Sequence, residues 1–164
     1  MGWRIVSVMQ QLLSFALDDQ RYGLPLAAIE RVVRVVEITP LPQAPDIVLG
    51  LINMHGRFVP VADIRRRFGL SGRPPRPSDH LIIARQRLRP IALLVDRVEG
   101  AVSCPETDRV ASGEILPGLT YVAGVGKLPD GTILIHDLDQ FLSLREEALL
   151  DRALAVNEAE SDGA

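Results

Sequence analysis

Paired aliphatic runs on either side of turn residues are the feature that most constrains how this chain can fold. The three clearest pairs are LLSFALDDQRYGLPL, HLIIARQRLRPIALLVD and TYVAGVGKLPDGTILIHDL, with turns at residues 18–21, 86–89 and 129–131. A further pair, 47–54 and 57–61, is separated by His55 and Gly56. Each run has the length of one strand, and each turn contains residues that tolerate tight backbone geometry. Many short strands at close spacing predict an all-β barrel or sandwich.

Helical signals are fewer. The segment Leu26–Val35 predicts a short helix, and ADIRRRFGL predicts one or two turns that end at Gly69. The clearest helix begins at SLREEALLDRALAV, where Ser143 and Glu146 form a capping box. Four apolar residues then follow at helical spacing, namely Leu149, Leu150, Ala153 and Leu154.

Composition narrows the class of protein. The chain has 164 residues, of which 47% are hydrophobic and only 4% aromatic, so we expect a globular fold with an aliphatic core. A single cysteine, Cys104, allows no internal disulfide and fits a reducing cytoplasm. No apolar run approaches the ~20 residues that span a bilayer, so we expect no membrane insertion. The net charge of −3 gives no reason to expect nucleic acid as a partner.

Catalytic and metal-binding patterns are weak. The three histidines are far apart, and the group His136, Asp137 and Asp139 fits a strand end and a helix cap better than a metal site. Cys104 lies in a polar connector, and no nucleophile or phosphate-binding motif occurs. We therefore expect no enzyme and no cofactor, although catalytic groups scattered along the chain stay an alternative.

A basic cluster occupies the middle of the chain. It contains six arginines: Arg57, Arg65, Arg66, Arg67, Arg73 and Arg76. Nucleic-acid binding would need aromatic stacking partners, and only Phe58 and Phe68 lie nearby. A solvated face or a patch for an acidic protein surface is favoured. The proline-rich segment 71–79 then predicts a surface loop between two subdomains.

The ordered set of segments resembles a known family. FALDDQRYGLPLAAIERVVRVVEITPLPQAPDIVLGLINMHGRFVPVADIRRRFGL, IALLVDRVEGAV and YVAGVGKLPDGTILIHDLDQFLS are together similar to the CheW-like domain of bacterial chemotaxis. The resemblance implies two five-stranded SH3-like barrels that share an apolar core, with short helices and a C-terminal helix. It places one domain at 11–155, divided into a first barrel at 11–75, a second at 76–140 and a helix at 141–155. Residues 1–10 and 156–164 are then expected to be flexible tails.

The resemblance also implies a function. Members of this family are cytoplasmic adaptors that bind the regulatory domain of the chemotaxis histidine kinase CheA and the cytoplasmic tip of methyl-accepting chemoreceptors. A free-standing member would couple receptor to kinase by binding, without catalysis. One alternative is a divergent kinase-binding scaffold with altered or lost receptor coupling. A small enzyme is the less favoured one.

Individual residues carry over by position. The resemblance assigns three to kinase binding: Ile29, Gly50 and Gly56. It assigns four apolar strand residues to receptor binding, namely Leu81, Ile82, Val98 and Ala101. It places Arg31 and His55 at the receptor surface as well, because they occupy the slots of a family ion pair expected beside that surface.

The two departures concern one expected ion pair. The family usually has Glu in the slot of Arg31 and Arg in the slot of His55. An Arg31–His55 pair would be repulsive if the imidazole were protonated. We therefore expect a neutral His55, or one paired with Glu30 or Glu37, and an altered receptor specificity.

Overall fold

The computed structural model describes residues 9–87, 89–105, 109–111 and 122–162. Within these residues eleven strands and two α-helices follow one another. The first five strands are β1 (Met9–Leu17), β2 (Gln20–Pro25), β3 (Ile29–Arg34), β4 (Val48–Met54) and β5 (Arg57–Ala62). After helix α1 (Ile64–Arg67) come β6 (His80–Arg85), β7 (Pro90–Val95), β8 (Arg97–Pro105), β9 (Arg109–Ala111), β10 (Val122–Leu128) and β11 (Gly131–His136). Helix α2 (Leu144–Asp162) follows, and short 3-10 helices occupy Leu26–Ala28 and Leu138–Gln140.

The strands form two sheets. One has six strands in the order β8-β1-β2-β11-β10-β9, and the other has five in the order β3-β6-β7-β5-β4. The expected pairs β1–β2, β4–β5, β6–β7 and β10–β11 are all antiparallel hairpins. The predicted all-β fold with two SH3-like barrels is thus confirmed, with six strands instead of five in one sheet.

The predicted division at residues 75 and 76 needs correction. Strands β1 and β2 belong to the same sheet as β8–β11, whereas β6 and β7 belong to the sheet of β3–β5. The reason is that each sheet joins its hairpins through a parallel pair, β2 with β11 and β5 with β7. The chain therefore begins one barrel, builds the other, and returns to complete the first.

A shared apolar core holds the barrels together. On β6 the side chains alternate, so that Ile82 and Ala84 face the shared core while Leu81 and Ile83 face the interior of the five-stranded barrel. The shared core also includes Phe15 and other residues of the six-stranded sheet. One strand thus contributes to two separate apolar clusters.

The helix predicted over Leu26–Val35 is wrong. A 3-10 turn at Leu26–Ala28 leads directly into β3, where Val32 pairs with Ile82. The apolar spacing fitted a helix, but the β-branched residues of this segment suit a strand that packs against β6. The pairing of β3 with β6 therefore favours a strand over a helix.

The other helices follow their sequence signals. Asp63 caps α1 by accepting from the backbone N–H of Arg66, and Gly69 leaves the helix with a φ of +71°. In α2 the Ser143 hydroxyl accepts from the Glu146 N–H, while the Glu146 carboxylate accepts from the Ser143 N–H. The capping box is therefore confirmed.

The ends of the described chain differ from the predicted tails. Strand β1 already begins at Met9, and α2 continues to Asp162. Both elements cross the predicted limits at residues 10 and 156. No helix of the described residues is long and apolar enough to cross a membrane.

Five charged side chains form an ion cluster where the barrels meet. Arg65 binds Asp96 and Asp18, with its Nη2 2.7 Å from the Asp18 Oδ1. Arg73 binds Asp79 in a bidentate pair at 2.8 Å and also reaches Asp96 at 2.6 Å. Asp18 lies in the β1–β2 turn and Asp96 at the passage from β7 to β8, so the cluster ties one sheet to the other.

This ion cluster corrects the interpretation of the basic segment as a solvated face. Arg65 has only 6% of its surface exposed and Asp79 only 1%. Burial alone would raise the pKa of Asp79, but hydrogen bonds from Arg73 and from the Arg76 backbone outweigh it, and the pKa is lowered. Arg67 is also occupied, in an ion pair with Glu146.

Candidate functional site

The turn between β4 and β5 consists of His55 and Gly56. Both have positive φ, +55° and +83°, and the flanking residues Met54 and Arg57 form the last pair of the hairpin. Two residues with positive φ are typical of a type I′ hairpin turn. The Asn53 side chain accepts a hydrogen bond of 2.8 Å from the Gly56 N–H. The turn therefore presents the His55 side chain at one end of the five-stranded barrel.

Gly50 supports this hairpin from the inside. A Cβ on Gly50 would lie 2.2 Å from the Thr39 carbonyl oxygen, so only glycine fits beside the crossing segment. Thr39 and Leu51 exchange backbone hydrogen bonds of 2.7 and 2.8 Å at the same place. Because Gly50 is buried, it can influence a partner only through the position of the hairpin.

A surface pocket lies at the end of the barrel that carries this turn. It has a volume of about 350 Å³ and is lined by Glu30, Arg31, Met54, His55, Arg57 and Ile83. Sheet register explains the arrangement, because Arg31 pairs with Ile83 across β3 and β6, and Met54 with Arg57 across β4 and β5. We call this the barrel-end pocket.

Arg31 and His55 close one side of the barrel-end pocket. The Arg31 Nη1 lies 2.9 Å from the His55 Nε2. A guanidinium has only donors, so Nε2 must accept and the imidazole must be neutral with its proton on Nδ1. The expected neutral His55 therefore agrees with this geometry. Neither Glu30 nor Glu37 pairs with His55 among the described residues.

Glu30 forms ion pairs with two other arginines. Its Oε2 lies 2.8 Å from the Nη2 of Arg57, and its Oε1 lies 3.4 Å from the Nη2 of Arg85. The hydrogen bond from Arg57, together with both positive charges, lowers the pKa of Glu30 despite partial burial. These contacts join β3 to β5 and β6, and they close the barrel end.

The structure brings only part of the predicted site together. His55 and Gly56 lie next to each other, and Arg31 contacts His55, while Ile29 lies at the start of the same strand as Arg31. Ile29 is half-buried and packs on the shared core. Residues assigned to the kinase and residues assigned to the receptor therefore lie close together on one barrel.

Two predicted receptor residues cannot contact a partner directly. Leu81 and Ile82 are both 0% exposed and face opposite sides of β6. Strand β6 is covered on both faces, so neither side chain lies at the surface. Val98 is half-buried and Ala101 is exposed, and both lie on β8 of the other sheet.

The ionic part of the pocket was not predicted from the sequence. Glu30, Arg57 and Arg85 come from three strands that are distant along the chain. Their meeting depends on the curvature of the sheet, which no local pattern reveals. The half-exposed Phe58 next to Arg57 is a second feature of this end.

The histidine at the end of β11 is buried in the protein core. His136 is 1% exposed and packs against Phe68 and Phe141 at centroid distances of 5.3 Å. Asp137 accepts from the Asp139 N–H and caps the following 3-10 turn. Across the described ranges, no group of three His, Cys, Asp or Glu residues could hold a metal ion.

Comparison with known proteins adds the family. The model of the CheW-like domain matches residues 11–146. The chain belongs to the CheW-like domain family. It is 27% identical over 135 residues to the chemotaxis protein CheW of Helicobacter pylori, which covers 80% of this chain and 81% of the relative. The CheW of Klebsiella aerogenes is 26% identical over 147 residues, or 88% and 89% of the two chains.

A solved structure shows the same fold. The scaffolding protein TtCheW from Thermoanaerobacter tengcongensis superimposes with a TM-score of 0.78 at 26% identity, over 85% of this chain and 96% of that one. The matched residues include the barrel-end pocket and every predicted site residue. Fold and family together support a scaffold or adaptor role in chemotaxis.

Proposed function

We propose that this protein couples methyl-accepting chemoreceptors to the histidine kinase CheA by binding both, without catalysis. The observation that carries the proposal is the match of the CheW-like domain over residues 11–146, on a fold with two complete barrels. In this proposal the kinase regulatory domain contacts the five-stranded barrel near Ile29 and Gly56. Gly50 acts indirectly, by holding the hairpin that carries Gly56.

The receptor tip is proposed to contact the surface that includes Arg31 and His55, with Val98 and Ala101 on β8 as a second contact. Leu81 and Ile82 then support this surface from the core. Binding can transmit a signal only if the adaptor holds one state of the receptor or kinase more tightly than the other. The ion cluster between the barrels favours a fixed arrangement of the two barrels, so that binding at one surface can affect binding at the other.

A divergent scaffold is the second candidate. The Arg31–His55 contact favours it, since the family pattern has a Glu–Arg ion pair in these slots. Such a scaffold would bind the kinase but would not respond to the usual receptor. A small enzyme receives less support, because the buried charged groups described above are occupied in ion pairs or caps.

Co-sedimentation distinguishes these candidates. Membranes that contain a chemoreceptor from the same genome are mixed with the kinase, with and without this protein, and pelleted. The coupling proposal predicts that the kinase enters the pellet only when this protein is present. Binding to free kinase without recruitment to receptor membranes would favour the divergent scaffold. Failure to bind either partner would refute both.

A further inference from the structure

The barrel-end pocket carries an excess of positive charge on a chain that is acidic overall. The chain has a net charge of −3. Arg31 and Arg57 line the pocket together with a single carboxylate, Glu30, and Arg85 binds the other oxygen of that carboxylate. His55 adds no charge while it accepts from Arg31. This local excess attracts negative groups and repels positive ones.

Of these three arginines, Arg31 is the one that forms no ion pair among the described residues. Glu30 forms ion pairs with Arg57 and Arg85, whereas no ion pair joins Arg31 to a carboxylate among the described residues. Arg31 instead donates to the neutral imidazole nitrogen of His55. A carboxylate can accept two parallel hydrogen bonds from one guanidinium, which is a stronger contact than one bond to a neutral ring. Arg31 is also exposed, so a partner can reach it.

The pocket beside Arg31 has room for such a group. Its walls are charged, but Met54 and Ile83 provide an apolar floor, and its volume is about 350 Å³. The methylene groups of an acidic side chain can contact this floor while the carboxylate meets the guanidinium. The pocket therefore suits glutamate or aspartate better than a wholly apolar or a basic side chain.

We propose that the barrel-end pocket binds an acidic side chain of the receptor tip, and that Arg31 exchanges His55 for this carboxylate. The inference rests on the proposed function, because it names the chemistry of the receptor contact. Arg31 is then the residue that sets specificity. A receptor with a basic or neutral residue at the matching position is rejected.

The test compares two charge reversals on one strand. Arg31→Glu reverses the charge at the pocket, and Arg34→Glu reverses an exposed charge at the other end of β3. Affinity for a fragment of the cognate receptor tip is measured by calorimetry. We expect Arg31→Glu to weaken binding by about tenfold or more and Arg34→Glu by less than about twofold. Arg31→Gln, which removes the charge without reversing it, is expected to fall between them.

Charge exchange identifies the acidic partner residue. Each acidic residue of the receptor fragment is replaced in turn by lysine and titrated against the Arg31→Glu variant. The proposal predicts one replacement that restores affinity for this variant and weakens binding of the wild-type chain. If wild-type and Arg31→Glu bind the fragment equally, the inference is wrong while the proposed function stands. If Arg31→Glu loses kinase affinity instead, the receptor assignment of the pocket is wrong. If the wild-type chain binds no receptor fragment, both fail.

Discussion

His136 is expected to make the stability of the fold depend on pH. Its ring is buried between Phe68 and Phe141, and neither ring nitrogen has a hydrogen-bond partner in the part of the chain that the structure describes. Burial lowers the pKa of His136 from the ordinary 6.5 to about 3. The folded state therefore keeps this ring neutral at pH values where the unfolded chain is already protonated.

The sign and size follow from proton linkage. Above pH 6.5 the histidine is neutral in both the folded and the unfolded state, so it does not lower the stability. As the pH drops from 6.5 towards 3, only the unfolded state takes up the proton, and the free energy of unfolding falls. Between pH 7.5 and 5.5 the free energy of unfolding should fall by about 1.4 kcal/mol. That change corresponds to about 3–6 °C in Tm for a domain of this size. The buried Asp79, with its lowered pKa, stays charged over this range and contributes no slope.

Urea unfolding at pH 7.5, 6.5 and 5.5 measures the effect. In the His136→Leu variant, leucine has a volume similar to that of histidine and cannot titrate. The substitution removes no hydrogen bond seen among the described residues, because neither ring nitrogen of His136 has a partner there. Between pH 7.5 and pH 5.5, the free energy of unfolding of His136→Leu should fall by about 1.4 kcal/mol less than that of the wild type. His55 and His80 are present in both proteins, so they cancel in the comparison. Equal slopes for the two proteins would refute the claim that burial keeps His136 neutral.

Three further substitutions test the packing and the turn. Gly50→Ala should cost about 3 kcal/mol, because its Cβ would collide with the Thr39 carbonyl oxygen; chemical denaturation measures this loss. Gly56→Asp should lower stability by only about 1 kcal/mol, since its Cβ meets open space, but it should abolish kinase binding in a calorimetric titration. Arg73→Ala should cost about 3–5 kcal/mol, because it leaves the buried Asp79 carboxylate without its main partner.

Each of these substitutions has a matched control. Gly72→Ala has no atom within 4 Å of the new Cβ, so it should leave the free energy of unfolding unchanged. Gly69→Asp places the same side chain at a similar φ of +71°, away from the β4–β5 turn, and should keep kinase affinity. Arg76→Ala removes an exposed guanidinium from the same loop as Arg73 and should change stability by less than about 0.5 kcal/mol. Effects as large in the controls as in the test variants would contradict these accounts.

Local sequence patterns predicted the hairpins because each depends on a few adjacent residues. The pair His55–Gly56 is an example, since a two-residue turn with Gly at its second position suits a hairpin wherever it occurs. The capping box at Ser143 and Glu146 is another. These elements form from contacts within four residues of sequence.

Long-range arrangement was predictable only through the family resemblance, and incompletely. Strand β3 has helical spacing but pairs with β6, about 50 residues later. Leu81 and Ile82 were assigned to receptor binding, yet both faces of β6 are covered. Arg65 and Arg73 suggested a basic surface, but they bind Asp18 and Asp96, which lie in other segments. No window of sequence shows which distant strand will cover a residue or neutralise it.

Kinase activity measured in a reconstituted array tests the central claim most directly. Autophosphorylation of the kinase is followed with receptor-containing membranes, in the presence and absence of this protein, before and after addition of the receptor's ligand. The proposed coupling predicts that the ligand changes the phosphorylation rate only when this protein is present. A ligand response that is equal with and without it, or absent in both cases, would contradict the proposal.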